Sequence, residues 1–150
     1  DVNHLDEVYE GKKSDILDNA FVIVNYENGA RALLDLCMFA EGSEYEQEIT
    51  VTGDAGKIET TVPGKELVVS NRSKNNSIKI PIELDTRIKE QGFHHGASYL
   101  EHLGFLDAIN KKTPPRVTVD DGLMSVVMGV AAQESIITGK LIKIANILKG

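Results

Sequence analysis

The 150-residue chain has no tryptophan, a single cysteine, four prolines and only 5% aromatic residues. Cys37 therefore forms no internal disulfide, and the chain is not stapled in the manner of small secreted domains; a reducing, cytoplasmic setting is expected. Basic residues are also scarce, with 16 Lys and Arg against 23 Asp and Glu for a net charge of −7. An acidic chain with no basic stripe argues against a nucleic-acid partner. No apolar run approaches the roughly 20 residues of a membrane-spanning helix, so no membrane partner is expected, and no signal-peptide pattern opens the sequence. A Gly-x-Gly-x-x-Gly turn opening a helix, a phosphate-binding loop, a Gly-x-Ser-x-Gly elbow and a paired-cysteine metal motif are all missing. Taken alone, these residues carry no complete catalytic apparatus. At 41% hydrophobic, they suffice to bury one core, so residues 1–150 are expected to form a single domain.

What is present is a run of short strands followed by helices. Residues 1–19 are polar and acidic and read as a lead-in segment. Phe21–Tyr26 is rich in β-branched and aromatic residues, and Asn28-Gly29 separates it from Arg31–Phe39. Asn-Gly between two such runs predicts a hairpin with a type I′ turn. Period-two alternation puts Ala32, Leu34, Leu36 and Met38 on one face of the second strand, and Arg31, Leu33, Asp35, Cys37 and Phe39 on the other. Both faces are too apolar for water, so this strand needs a cover on each side. Further strands are expected at Glu46–Gly53, Lys57–Val62, Glu66–Ser70 and Ile78–Ile82, joined by tight turns as an antiparallel meander. Helical spacing of Leu100, Leu103, Leu106 and Ile109 predicts a helix from Ala97 to Lys111, ended by Thr113-Pro114-Pro115. A second helix is expected from an Asp120 N-cap to Gly139, with Leu141–Ile144 as a last short strand. The fold class is α+β: a largely antiparallel, open-faced sheet (mixed if the last strand joins it) with helices on one face. Helices supply one cover, so the second must come from another copy or a domain outside these residues. The start at Asp1, without methionine and in mid-pattern, suits a piece of a longer protein.

Candidate site residues cluster at Gly92-Phe93-His94-His95-Gly96, just before the first helix. Imidazoles at a helix entry titrate near neutrality beside exposed backbone N–H groups, a setting that suits binding of hydroxyl or carboxylate groups. The plainer reading has His94 and His95 capping and orienting the loop. A metal held by His94 or His95 with His102 and Glu101 is the third alternative, although their spacing makes no obvious cage. His4 with Asp1 or Asp6 forms a conceivable acid/base pair, but solvated loop residues are the simpler account. Asp35, among Leu33, Cys37 and Phe39, calls for a partner such as Arg31 or a group across an interface.

The order of these segments resembles a known family. DNAFVIVNYENGARALLDL, EQEITVTGDAGKIET, FHHGASYLEHLGFLDAI and PPRVTVDDGLMSVVMGVAAQESIITGKLIKI together are similar to the C-terminal domain of the Gfo/Idh/MocA oxidoreductases, over roughly residues 15–145. The resemblance implies a dihydrodipicolinate-reductase-like α+β domain that contacts substrate, paired with an N-terminal Rossmann domain holding NAD or NADP. It implies hydride transfer to or from a sugar or polyol, and a homo-oligomer built through the open sheet, with Leu33, Asp35, Cys37 and Phe39 at the interface. His94 and His95 match a loop that approaches substrate in some members. The Rossmann half and the Glu-Lys-Pro segment with the family's catalytic lysine are absent from this chain. Asp1-Val2-Asn3-His4 has the wrong interval for the family's Asp-x-x-x-His motif, so no catalytic role passes to Asp1 or His4. No NAD is expected on this chain by itself. The alternative is a stand-alone interaction or scaffold domain derived from such an enzyme.

Overall fold

The computed structural model describes residues 16–149. The lead-in segment before residue 16, with Asp1, His4 and Asp6, lies outside them. Among the described residues the fold is α+β, with six antiparallel strands in two hydrogen-bonded sheets and three α-helices. Two compact units can be distinguished, one formed by the segment ending at Ser43 with Ala132–Ile142, the other by Glu44–Ala131 with the segment from Lys143.

In the first unit, β1 (Asn19–Asn25) pairs with β2 (Arg31–Cys37) as the expected hairpin, Val22 opposite Leu34 and Ile23 opposite Leu33. The turn differs from expectation. Only Gly29 has positive φ (86°), Gly29 N–H donates to the Tyr26 carbonyl, and Tyr26 N–H donates to Ala30. That is a three-residue loop, a type I turn closed by a left-handed glycine, and not a type I′ turn. Asn28 contributes through its side chain instead, its Oδ1 accepting from Ala30 N–H at 3.0 Å.

The alternation is as expected, and it leaves one hairpin face clearly more open. Ala20, Val22, Val24 and Leu36 are half-buried on one side, although Leu34 there is exposed. On the other side Phe21, Ile23 and Leu33 are 76%, 69% and 67% exposed, with Cys37 exposed beside them. Phe39, beyond the end of β2, is half-buried. Asp35 forms no ion pair with Arg31; both are exposed, so water solvates the carboxylate in a single chain. Asp18, just ahead of β1, is fully buried, and its carboxylate accepts from Asn19 Nδ2 at 2.7 Å.

The second unit holds the meander β3 (Gln47–Thr52), β4 (Gly56–Val62), β5 (Glu66–Asn71) and β6 (Asn76–Pro81), in that order. The register sorts most of its side chains by polarity, with Val68 the apolar exception on the polar face. Ile49, Val51, Ile58, Val62, Leu67, Val69, Ile78 and Ile80 share one face, while Glu48, Lys57, Glu59, Glu66 and Lys79 share the other. On the polar face Lys57 pairs with Glu59 and Lys79 with Glu66. Pro81 ends β6 on the sheet edge, where its missing N–H costs no ladder bond.

Helix α1 (Ala97–Lys111) stops where Lys112 turns left-handed (φ 51°) and its N–H returns to the Ala108 and Ile109 carbonyls. Helix α2 (Val119–Thr138) opens with a reciprocal cap. Thr118 Oγ1 accepts from Asp121 N–H at 3.2 Å, while Asp121 Oδ2 accepts from Thr118 N–H at 2.8 Å. Thr118 therefore holds the N-cap position expected for Asp120; the side chain three residues on completes the box. Gly139 (φ 66°) stops α2 as expected. Val127 and Ala131, one turn apart, are the buried line of that helix. The expected strand Leu141–Ile144 is not formed; the chain makes a short helix α3 (Ile144–Ile147) instead. Residues 141–143 take no regular structure, and local bonds from Asn146 and Leu148 N–H to the Lys143 and Ile144 carbonyls form the turn that follows. Among the described residues no helix is long and apolar enough to cross a membrane.

Candidate functional site

The loop before α1 is held at several points. Gly92 (φ 58°), His95 (φ 51°) and Gly96 (φ 89°) all take left-handed backbone, so the chain reverses twice within five residues. Gly96 N–H donates to the Gln91 carbonyl at 2.6 Å, closing the base of the loop. A Cβ on Gly96 would stand 2.7 Å from the Ile88 side chain, so glycine is required there by packing as well as by φ. Between these points Gly92–His94 forms a single 3-10 turn.

The two histidines do different work. His95 Nε2 donates to the Glu46 carboxylate, just ahead of β3, at 3.2 Å. A carboxylate only accepts, so His95 carries its proton on Nε2 and is committed to a strut between loop and sheet. His94 Nδ1 shares a hydrogen bond with Ser98 Oγ at 2.9 Å, in the first turn of α1. That leaves His94 Nε2 on the far side of the ring. His102 Nδ1 donates to the Ser98 carbonyl at 2.7 Å, within the helix. Phe93, at the tip, is 96% exposed.

His94 and His102 both bond to Ser98, through its hydroxyl and its carbonyl, while His95 turns to Glu46. Among the described residues no group of three His, Cys, Asp or Glu side chains is gathered to hold a metal ion. The metal alternative required His102 and Glu101 to converge with the loop, and no such convergence is found among the described residues. Each imidazole thus engages one ring nitrogen, leaving His94 Nε2, His95 Nδ1 and His102 Nε2 without a hydrogen bond among the described residues, and none of the three caps a helix. Sequence reasoning did not find Glu46. Its partnership with His95 spans 49 positions, and nothing local signals it.

The described residues contain no Rossmann-type dinucleotide fold. Each ladder is antiparallel, so there is no parallel βαβ crossover, and Gly53–Gly56 is a hairpin turn closed by Gly53 N–H to the Gly56 carbonyl at 2.9 Å.

Comparison with known proteins agrees with this architecture. Residues 2–144 match the model of the oxidoreductase family, C-terminal alpha/beta domain, of the Gfo/Idh/MocA proteins. The chain is 28% identical over 145 residues to a myo-inositol 2-dehydrogenase of Thermotoga maritima, covering 92% of this chain but 39% of that protein. Its fold is similar, with a TM-score of 0.69 at 18% identity, to an oxidoreductase from Agrobacterium radiobacter solved with NAD+, L-tartaric acid and magnesium; the match spans 91% of this chain and 42% of that one. The chain thus spans about two-fifths of the length of these relatives. With the family's pattern running through nearly all of its residues, the chain belongs to the Gfo/Idh/MocA oxidoreductases as their C-terminal alpha/beta domain.

Proposed function

We propose that this domain is the substrate-contacting and assembly part of an NAD(P)-dependent sugar or polyol oxidoreductase. The observation that carries the reading is the relationship, across 92% of the chain, to a myo-inositol 2-dehydrogenase. Nucleotide binding then belongs to a Rossmann part of the complete enzyme, and catalysis to residues outside this chain. The neighbouring structure with NAD+ supports a dinucleotide as the hydride carrier. Cys37, a free thiol, is in keeping with a cytoplasmic protein.

In this reading the His94–His95 loop faces substrate, with His94 Nε2 meeting a hydroxyl and His95 keeping the loop in place through Glu46. Replacing His94 by Gln in the complete enzyme then raises KM with little change in kcat, since a ground-state contact is lost. The open hairpin face, with Phe21, Ile23, Leu33, Asp35 and Cys37, is the assembly surface, and Phe39 lies at its margin. Three neighbouring apolar side chains more than two-thirds exposed are costly to leave in water, about 1.5–3 kcal/mol each if fully buried on association.

The coding frame on the N-terminal side of Asp1 tests the enzymatic reading. A Gly-rich βαβ unit followed by a Glu-Lys-Pro segment is expected, and an unrelated sequence there overturns it in favour of a scaffold domain. Isothermal titration of the 150-residue chain with NAD should show no binding; micromolar affinity contradicts the division of labour.

A further inference from the structure

The meander ends in a second polar feature, remote in sequence from the histidine loop and independent of the function proposed above. The β3–β4 and β5–β6 turns lie side by side, and between them is a depression of about 470 Å³, within the roughly 300–1,000 Å³ range of small-molecule sites. Ten residues line it and none is acidic, in a chain where acids outnumber bases. The register explains its chemistry. Thr52 lies opposite Lys57, Lys57 opposite Ser70, and Ser70 opposite Ser77, so one row of three hydroxyls and an ammonium crosses all four strands. Arg72 and the amides of Asn75 and Asn76 close the end.

The groups on offer are chiefly donors. Asn71 Oδ1 already accepts from Ser73 Oγ at 2.8 Å and from Lys74 N–H at 3.0 Å, which leaves its NH2 unspent. Lys57 gives one of its three N–H bonds to Glu59 and keeps two. Among the described residues no ion pair engages Arg72, whose five N–H donors suit an oxyanion. The frame is held as well: Arg72 N–H donates to the Ala55 carbonyl at 3.0 Å, tying one turn to the other. Two carboxylates are near without lining it: Glu59, paired with Lys57, and Asp54, which lines an adjoining depression together with Arg72.

We propose that this end of the meander binds a small oxyanion, a phosphate or carboxylate group, through Arg72, Lys57 and the hydroxyl row. The test is a titration of the 15N-labelled 150-residue chain with inorganic phosphate and, separately, with malonate, each against sodium chloride at matched ionic strength. Saturable amide shifts confined to residues 52–57 and 70–77 are expected with one or both anions. The anion saturating at lower concentration identifies phosphate or carboxylate as the natural group. Arg72→Gln and Lys57→Met, both at exposed or half-exposed side chains, should each weaken binding by about tenfold, the loss of a charge-assisted hydrogen bond. Shifts no larger than those with chloride, shifts that rise without saturating, or binding undiminished in both variants overturn the proposal. A spectrum that stays dispersed in each variant separates loss of binding from loss of fold.

Discussion

Gly56 sits opposite Asn71 in the β4–β5 ladder, and a Cβ built on it would stand 2.0 Å from the Ser70 carbonyl oxygen. Its backbone is ordinary, so the requirement is for space and not for an unusual φ. Gly56→Ala must therefore push a ladder strand aside, and a loss of about 3 kcal/mol is expected by urea denaturation, the upper part of the overpacking range. Lys112 poses the converse case, a side chain where glycine would be easier. At φ 51° it carries left-handed strain, so Lys112→Gly is expected to stabilise by about 0.5–1 kcal/mol once glycine's extra entropy is subtracted. Acid reveals two carboxylates. The Arg87 side chain and its N–H hold the Asp85 carboxyl down at about 2, and Thr118 bonds lower that of Asp121. Both folded values lie below the ordinary 3.8, so their contributions are complete above it and fade as pH falls through the depressed values. The protection of the Arg87 and Thr118 amides, taken relative to the intrinsic exchange rate at each pH, should therefore fall only in strong acid and hold steady near neutrality.

Each element shows where a local signal was sufficient and where it was not. The β1–β2 hairpin forms at the expected place because Asn28-Gly29 interrupts two β-rich runs; the turn type differs because Asn28 bonds through its side chain and only Gly29 turns left-handed. Helix α2 begins one cap earlier than Asp120 because Thr118 and Asp121 satisfy each other's backbone N–H groups. Thr118→Ala should cost about 1 kcal/mol and fray the first turn of α2, read by exchange at residues 119–122. Asp120→Ala should cost far less, which distinguishes the two assignments. The single-turn α3 stands where the end of the expected final strand was, its Asn146 and Leu148 N–H groups donating to the Lys143 and Ile144 carbonyls and not to a ladder.

Assembly is the question for the chain at large. Its hairpin carries apolar side chains on both faces, and Phe21, Ile23 and Leu33 remain open in one copy. If that surface is the subunit contact, Leu33→Lys and Ile23→Glu convert an oligomer to a monomer by sedimentation without altering the far-ultraviolet spectrum. Cys37, on the same face and the sole thiol, reports without any mutation: its labelling should slow as protein concentration rises through the association range. A labelling rate that ignores concentration would place the interface elsewhere.

Alternation and turn composition were enough to predict the meander, the hairpin and both long helices, since strand period, glycine placement and helical spacing act between near neighbours. They were also enough for the family, whose motifs run along the chain in order. Distant pairing was not available from them. The Glu46 strut to His95, the Ser70 oxygen that forbids a side chain on Gly56, and the division of six strands into two sheets each join residues whose proximity depends on the folded backbone. The histidine pair therefore read as one candidate site along the chain. In three dimensions the pair divides, His95 tied through Nε2 to Glu46 beside the sheet and His94 through Nδ1 to Ser98 on the helix, because a hydrogen bond is settled by where its partner ends up.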